Sequence, residues 1–129
     1  MQYQNILLID DDDDDREIFR EAVNSLGKGI LFEDEKNPEE ALVKLQKAEV
    51  LPDVIFLDYN MPDMNGQDFI EQIRKEKRLI GIPVILYSTY SEEAAEQLSL
   101  TAGTEYFISK PHNFEDLKNI LKNVLQIRD

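Results

Sequence analysis

The chain has 129 residues, 42% of them hydrophobic, which suits one domain with one core spanning residues 1–129, with no length spare for a second, output domain. Its net charge of −13 argues against direct binding to nucleic acid or to an anionic membrane, since both need basic patches. The absence of Cys excludes disulfides, thiolate metal sites and a Cys nucleophile, and with neither a signal-peptide pattern nor an apolar run near the ~18 residues of a membrane span, a cytoplasmic location without membrane insertion is expected.

Short apolar runs alternate with helical patterns five times. Asn5 to Ile9 reads as a buried strand, and six aspartates, Asp10 to Asp15, follow it directly. Like charges this close repel by ~4 kcal/mol per pair at an effective dielectric near 20, so the run calls for a cation, protonation or full solvation. Asp12 to Asp15 read as a loop and the acidic first turn of a helix, which the helix dipole favours. Ile18, Phe19, Ala22, Val23 and Leu26 form that helix's apolar face, and Gly27 stops it.

Ile30-Leu31-Phe32 is a second, short strand. Asn37 caps the second helix, with Pro38 in its first turn and Ala41, Leu42, Leu45 and Ala48 on its apolar face. Val54 to Leu57 is the third strand and ends in Asp58. The breakers of Asn60 to Gly66 make a loop, and Phe69, Ile70 and Ile73 mark a third helix. Pro83 to Tyr87 is the fourth strand, ending at Ser88-Thr89. Ser91 can cap a fourth helix carrying Ala94, Ala95, Leu98 and Ala102. Tyr106 to Ile108 is the fifth strand and leads to Lys110-Pro111. Asn113 can cap a fifth helix with Phe114, Leu117, Ile120, Leu121, Val124 and Leu125 facing inward.

Five such units predict an α/β fold: a doubly wound parallel sheet of five strands, covered by helices on both faces. Parallel strands bring their C-terminal ends to one edge. That edge gathers Asp10, Asp11 and Asp58, the hydroxyls of Ser88 and Thr89, and the ammonium of Lys110. Oxygen-only ligands suit Mg²⁺, which takes one or two carboxylates and shares phosphate oxygens. An Asp carboxylate can also accept a phosphoryl group as an acyl phosphate, with metal and lysine neutralising the charge in transfer.

In five motifs the chain resembles a response-regulator receiver domain of two-component signalling. They are Ile6-Leu7-Leu8-Ile9-Asp10-Asp11, the stretch from Pro52 to Asp58, Asn60-Met61-Pro62-x-Met64-x-Gly66, the stretch from Pro83 to Thr89, and Lys110-Pro111. Their order and spacing make the combination specific, and it covers essentially the whole chain. The resemblance implies a flavodoxin-like strand order 2-1-3-4-5 with five helices, and a site between strands one and three.

The same resemblance implies the roles. Asp58 would accept a phosphoryl group from a histidine kinase or histidine phosphotransferase. Asp11, Asp58 and the backbone carbonyl of Asn60 would ligate Mg²⁺, with Asp10 acting through water. Ser88 and Lys110 would hold phosphoryl oxygens, and the Lys110–Pro111 bond would be cis. Ser88 and Phe107 would be switch residues, although Phe107 can equally be core. Asn60 and Tyr90 would tune the phosphoryl lifetime. Helix four, strand five and helix five would carry the signal to an unknown protein target. That makes the chain a stand-alone phospho-accepting switch and not an enzyme. His112 stands where receivers often carry Phe and is given no role.

Two other readings compete with it. Asp10-x-Asp12 resembles the nucleophile motif of haloacid-dehalogenase phosphatases, a pattern that does not include the loop after Asp58. A docking module indifferent to phosphorylation is the other.

Overall fold

The computed structural model describes residues 4–27, 29–58, 66–88, 106–111 and 113–125; for residues 66, 67, 88, 106 and 107 the description covers the backbone alone. Five parallel strands form one sheet in the order β2-β1-β3-β4-β5. They are β1 (Asn5–Ile9), β2 (Leu31–Glu35), β3 (Val54–Leu57), β4 (Val84–Ser88) and β5 (Tyr106–Ser109). The described helices are α1 (Asp13–Leu26), α2 (Pro38–Lys47), α3 (Gly66–Arg74) and a C-terminal helix (Phe114–Val124). The helix expected from Ser91 lies outside the described residues.

The central strands explain why a parallel sheet forms. Ile6 to Ile9 and Val54 to Leu57 are all buried, so both faces of β1 and β3 are covered. Alternation divides their side chains between two cores. On one face Ile6, Leu8, Val54, Phe56, Ile85 and Tyr87 meet Phe19, Ala22, Val23 and Leu26 of α1, together with Leu117, Leu121 and Leu125. On the other, Leu7, Ile9, Ile55, Leu57 and Leu86 meet Ala41 and Leu45 of α2 and Phe69, Ile70 and Ile73 of α3. Phe19 is the hub of the first core, with its ring centroid 5.6 Å from Phe32, 5.1 Å from Phe56 and 5.5 Å from Tyr87.

Local signals set the helix ends. Asp12 caps α1, its carboxylate accepting from the Asp15 N–H, and Gly27 closes the helix at φ 59°. Asn37 caps α2 by accepting from the N–H groups of Glu39 and Glu40. Asn113 caps the C-terminal helix through the Asp116 N–H.

Three expectations need correction. Strand β2 runs on to Glu35, because an edge strand tolerates the acidic side chains of Glu33, Asp34 and Glu35. Ile18 is 44% exposed, since the buried stripe at Phe19, Ala22, Val23 and Leu26 leaves it one step around the helix. There is also no cis peptide bond among the described residues, so Lys110–Pro111 is trans.

Candidate functional site

Register places the acidic residues. Ile9 pairs with both Glu35 and Leu57 across β1's two neighbours. The ladder continues one step further, with the Asp10 N–H on the Glu35 carbonyl at 3.0 Å and the Asp58 N–H on the Ile9 carbonyl at 2.9 Å. Asp10 and Asp58 therefore leave the sheet side by side. Asp10 is fully buried, Asp58 is 5% exposed, and Asp11 stands in solvent beside them. One carboxylate oxygen from each of the three lies within 4.8 Å of the others.

Lys110 comes in one residue past β5 and is only 12% exposed. Its Nζ donates to Asp10 Oδ2 at 2.9 Å, Asp15 Oδ2 at 2.8 Å and Asp58 Oδ2 at 3.2 Å. The Tyr87 ring lies beside it, with Nζ 5.6 Å from the centroid. Burial alone would lower the Lys110 pKa. The bonds to Asp15 and Asp10 outweigh that and hold it above the ordinary lysine range, so the ammonium stays charged.

Asp10 behaves in the opposite way. Burial pushes its carboxyl up to about 6, against the lowering effects of Lys110 and of the Asp12 N–H, which donates to Asp10 Oδ1 at 3.0 Å. Burial likewise raises the Tyr87 hydroxyl above the usual tyrosine range, so it remains protonated.

The loop after β1 is braced from behind. Arg16 Nη1 donates to the Asp10 carbonyl at 2.7 Å, and Arg16 Nε reaches Asp34 Oδ2 on β2 at 3.1 Å. A third bond joins the same guanidinium to Asp13. Arg20 Nη2 meets the other Asp34 oxygen at 2.6 Å. Asp34 thus fastens α1 to the edge strand and, through Arg16, fixes the backbone turn that aims Asp10.

The structure brings together four of the expected site residues: Asp10, Asp11, Asp58 and Lys110. It places the backbone of Ser88 at the end of β4, opposite Ser109, and that of Phe107 opposite Leu86. Asn60, Thr89, Tyr90 and His112 lie outside the described residues, as do the side chains of Ser88 and Phe107. Two participants are absent from the sequence-based set. Asp15 reads there as part of the helix start alone, yet its carboxylate binds Lys110, and Tyr87 reads as an ordinary strand residue. Asp12, the second residue of the phosphatase-like pair, is engaged as the α1 cap.

One ammonium, that of Lys110, is thus bonded to three carboxylates, Asp10, Asp15 and Asp58. Asp10, Asp11 and Asp58 offer only oxygen donors and converge closely, so a hard divalent cation fits the donor set. A carboxylate able to act as a nucleophile, oxygen ligands that suit a cation and a buried ammonium at one edge can together handle a phosphoryl group.

Comparison with known proteins agrees with this arrangement. A family model described as response regulator receiver domain matches residues 6–122. The chain is 32% identical over 126 residues to the chemotaxis protein CheY1 of Helicobacter pylori, covering 96% of this chain and 98% of that protein. It is also 32% identical over 122 residues to the CheY homolog of Campylobacter jejuni, covering 93% and 91%. Among solved structures, the chemotaxis response regulator CheY4 of Vibrio cholerae superposes with a TM-score of 0.79 at 29% identity, covering 95% of this chain and 99% of that one. The phosphorylated cyanobacterial phytochrome response regulator RcpA gives a TM-score of 0.82 at 25% identity, covering 95% and 91%.

Proposed function

The chain belongs to the response-regulator receiver family, and from that membership we propose that it is a signalling protein rather than an enzyme, with Asp58 as its phosphoryl acceptor. The observation that carries the reading is the convergence of Asp10, Asp11 and Asp58 within 4.8 Å, with Lys110 bonded to Asp58. A carboxylate oxygen of Asp58 attacks the phosphorus of a kinase or phosphotransferase phosphohistidine. The P–N bond breaks, and its electron pair stays on the imidazole. Lys110 follows one phosphoryl oxygen, and the Ser88 hydroxyl donates to another. A bound Mg²⁺, held by Asp11, Asp58 and the Asn60 carbonyl with Asp10 acting through water, would neutralise charge building on those oxygens.

Phosphorylation turns one carboxylate charge into a phosphate carrying about two. Ser88 and Phe107 then bias two arrangements of the face formed by the helix expected from Ser91, by β5 and by the C-terminal helix. Asn60 and Tyr90 set how long the phosphoryl group survives. The signal leaves by contact with a protein target, in the cytoplasm.

Acetyl phosphate with Mg²⁺ tests the proposal by intact-mass measurement. Wild type should gain one phosphoryl mass, and Asp58→Asn should gain none. A wild-type chain that keeps its unmodified mass, or an Asn variant that is modified equally, would sink the reading.

A further inference from the structure

The bond between Asp15 and Lys110 has no part in the chemistry assigned so far, and its interpretation rests on Asp58 being the phosphoryl acceptor. An ammonium has three N–H donors. Lys110 has one close carboxylate partner for each, and the shortest distance, 2.8 Å, is to Asp15. Asp15 is not one of the three carboxylates that converge as a cation site. It sits in the first turn of α1, fixed by its own N–H bond to the Asp12 cap, and its side chain is 37% exposed.

The other two partners of Lys110 have a second obligation. Asp10 and Asp58 are members of the cation cluster. When a divalent cation enters, those carboxylates turn toward it, and the cation repels the ammonium beside them. Without another anchor, Lys110 either competes with the cation for Asp10 and Asp58 or is driven out of the site. Asp15 offers a carboxylate that the cation does not claim, already bonded to Nζ. Arg16, the residue after Asp15, cannot substitute, because its charge has the wrong sign and its donors are taken by Asp10, Asp13 and Asp34.

We propose that Asp15 is a positioning residue of this site, a berth for the Lys110 ammonium that lets Asp10 and Asp58 accept a cation while the lysine stays beside Asp58. Asp15 touches neither the cation nor the phosphoryl group; it acts through Lys110. Removing it returns the whole ammonium to Asp10 and Asp58, which weakens cation binding and slows phosphoryl transfer together.

The neighbouring aspartate supplies the control. Asp14 carries the same charge in the same helical turn, is exposed and has no bond to Lys110. Calorimetric titration with Mg²⁺ should show Asp15→Ala raising the dissociation constant about five-fold to tenfold, the scale of a partly exposed charge-assisted bond, with Asp14→Ala changing it less than about two-fold. Acetyl phosphate labelling of Asp58 should slow in Asp15→Ala and recover in part in Asp15→Glu. In a Lys110→Met background, Asp15→Ala should change Mg²⁺ affinity no more than Asp14→Ala does, because the ammonium it acts through is gone. Equal effects of Asp15→Ala and Asp14→Ala in the wild-type background would overturn the proposal, as would an undiminished Asp15 effect without Lys110. Either result leaves the acceptor reading intact provided wild type is labelled on Asp58; failure of that labelling removes the acceptor reading itself.

Discussion

Replacing Asp10 by Asn deletes a buried negative charge and keeps the shape of the side chain. Folding raises the Asp10 carboxyl from 3.8 to about 6, chiefly through burial. At 1.36 kcal/mol per unit, the ionised form costs the cation-free folded protein about 3 kcal/mol at neutral pH. The sign follows from proton counts. Between about pH 4 and pH 6 the native state binds more protons at this position than the unfolded chain does, so this contribution to stability falls as pH rises and is gone above about 6. Asn resembles the protonated acid, and its oxygen still accepts from the Asp12 N–H, while Lys110 retains Asp15 and Asp58. In EDTA, urea unfolding should therefore find Asp10→Asn more stable than wild type by about 2–3 kcal/mol near pH 7.5, and by less than about 1 kcal/mol near pH 4.5. A variant less stable than wild type near pH 7.5, or a gap of the same size at both pH values, refutes the argument.

Two changes test the scaffold. Asp34→Ala strips Arg16 and Arg20 of a shared, 23%-exposed partner and should lower unfolding free energy by about 1–2 kcal/mol in urea; an unchanged midpoint would show that the clamp contributes nothing. Phe19→Ala empties the hub of three aromatic contacts and should cost about 3–5 kcal/mol by the same assay, without altering Mg²⁺ affinity in the fraction that remains folded.

Much of this architecture is legible in the sequence because its signals are local. The bounds of β1 and β3 follow from unbroken apolar runs, and the caps at Asn37 and Asn113 are short-range hydrogen bonds. Asp10, Asp11, Asp58 and Lys110 can be grouped because strand ends in a parallel sheet share an edge. Asp15 escapes because its meaning depends on the angle at which α1 leaves the sheet, and a run of six identical residues carries no contrast to mark one of them. Tyr87 escapes for a related reason: an aromatic residue in a strand signals burial, and only three-dimensional packing sets it next to Lys110. The extension of β2 through Glu33, Asp34 and Glu35 is hidden by their low strand propensity, which the partners on β1 and the clamp on Asp34 override.

The side-by-side exit of Asp10 and Asp58 rests on main-chain bonds from β1 to its two neighbours. Those bonds are indifferent to which side chains fill the layers above and below. A core can therefore be rewritten residue by residue, keeping only its apolar alternation, while the spacing between the two carboxylates is handed down unaltered. The ladder acts as a jig: it separates the tolerance needed to align reacting atoms from the sequence variety needed to recognise different partners. Insertions are the changes it cannot absorb, since one extra residue within β1 or β3 would send the following aspartate to the opposite side of the sheet.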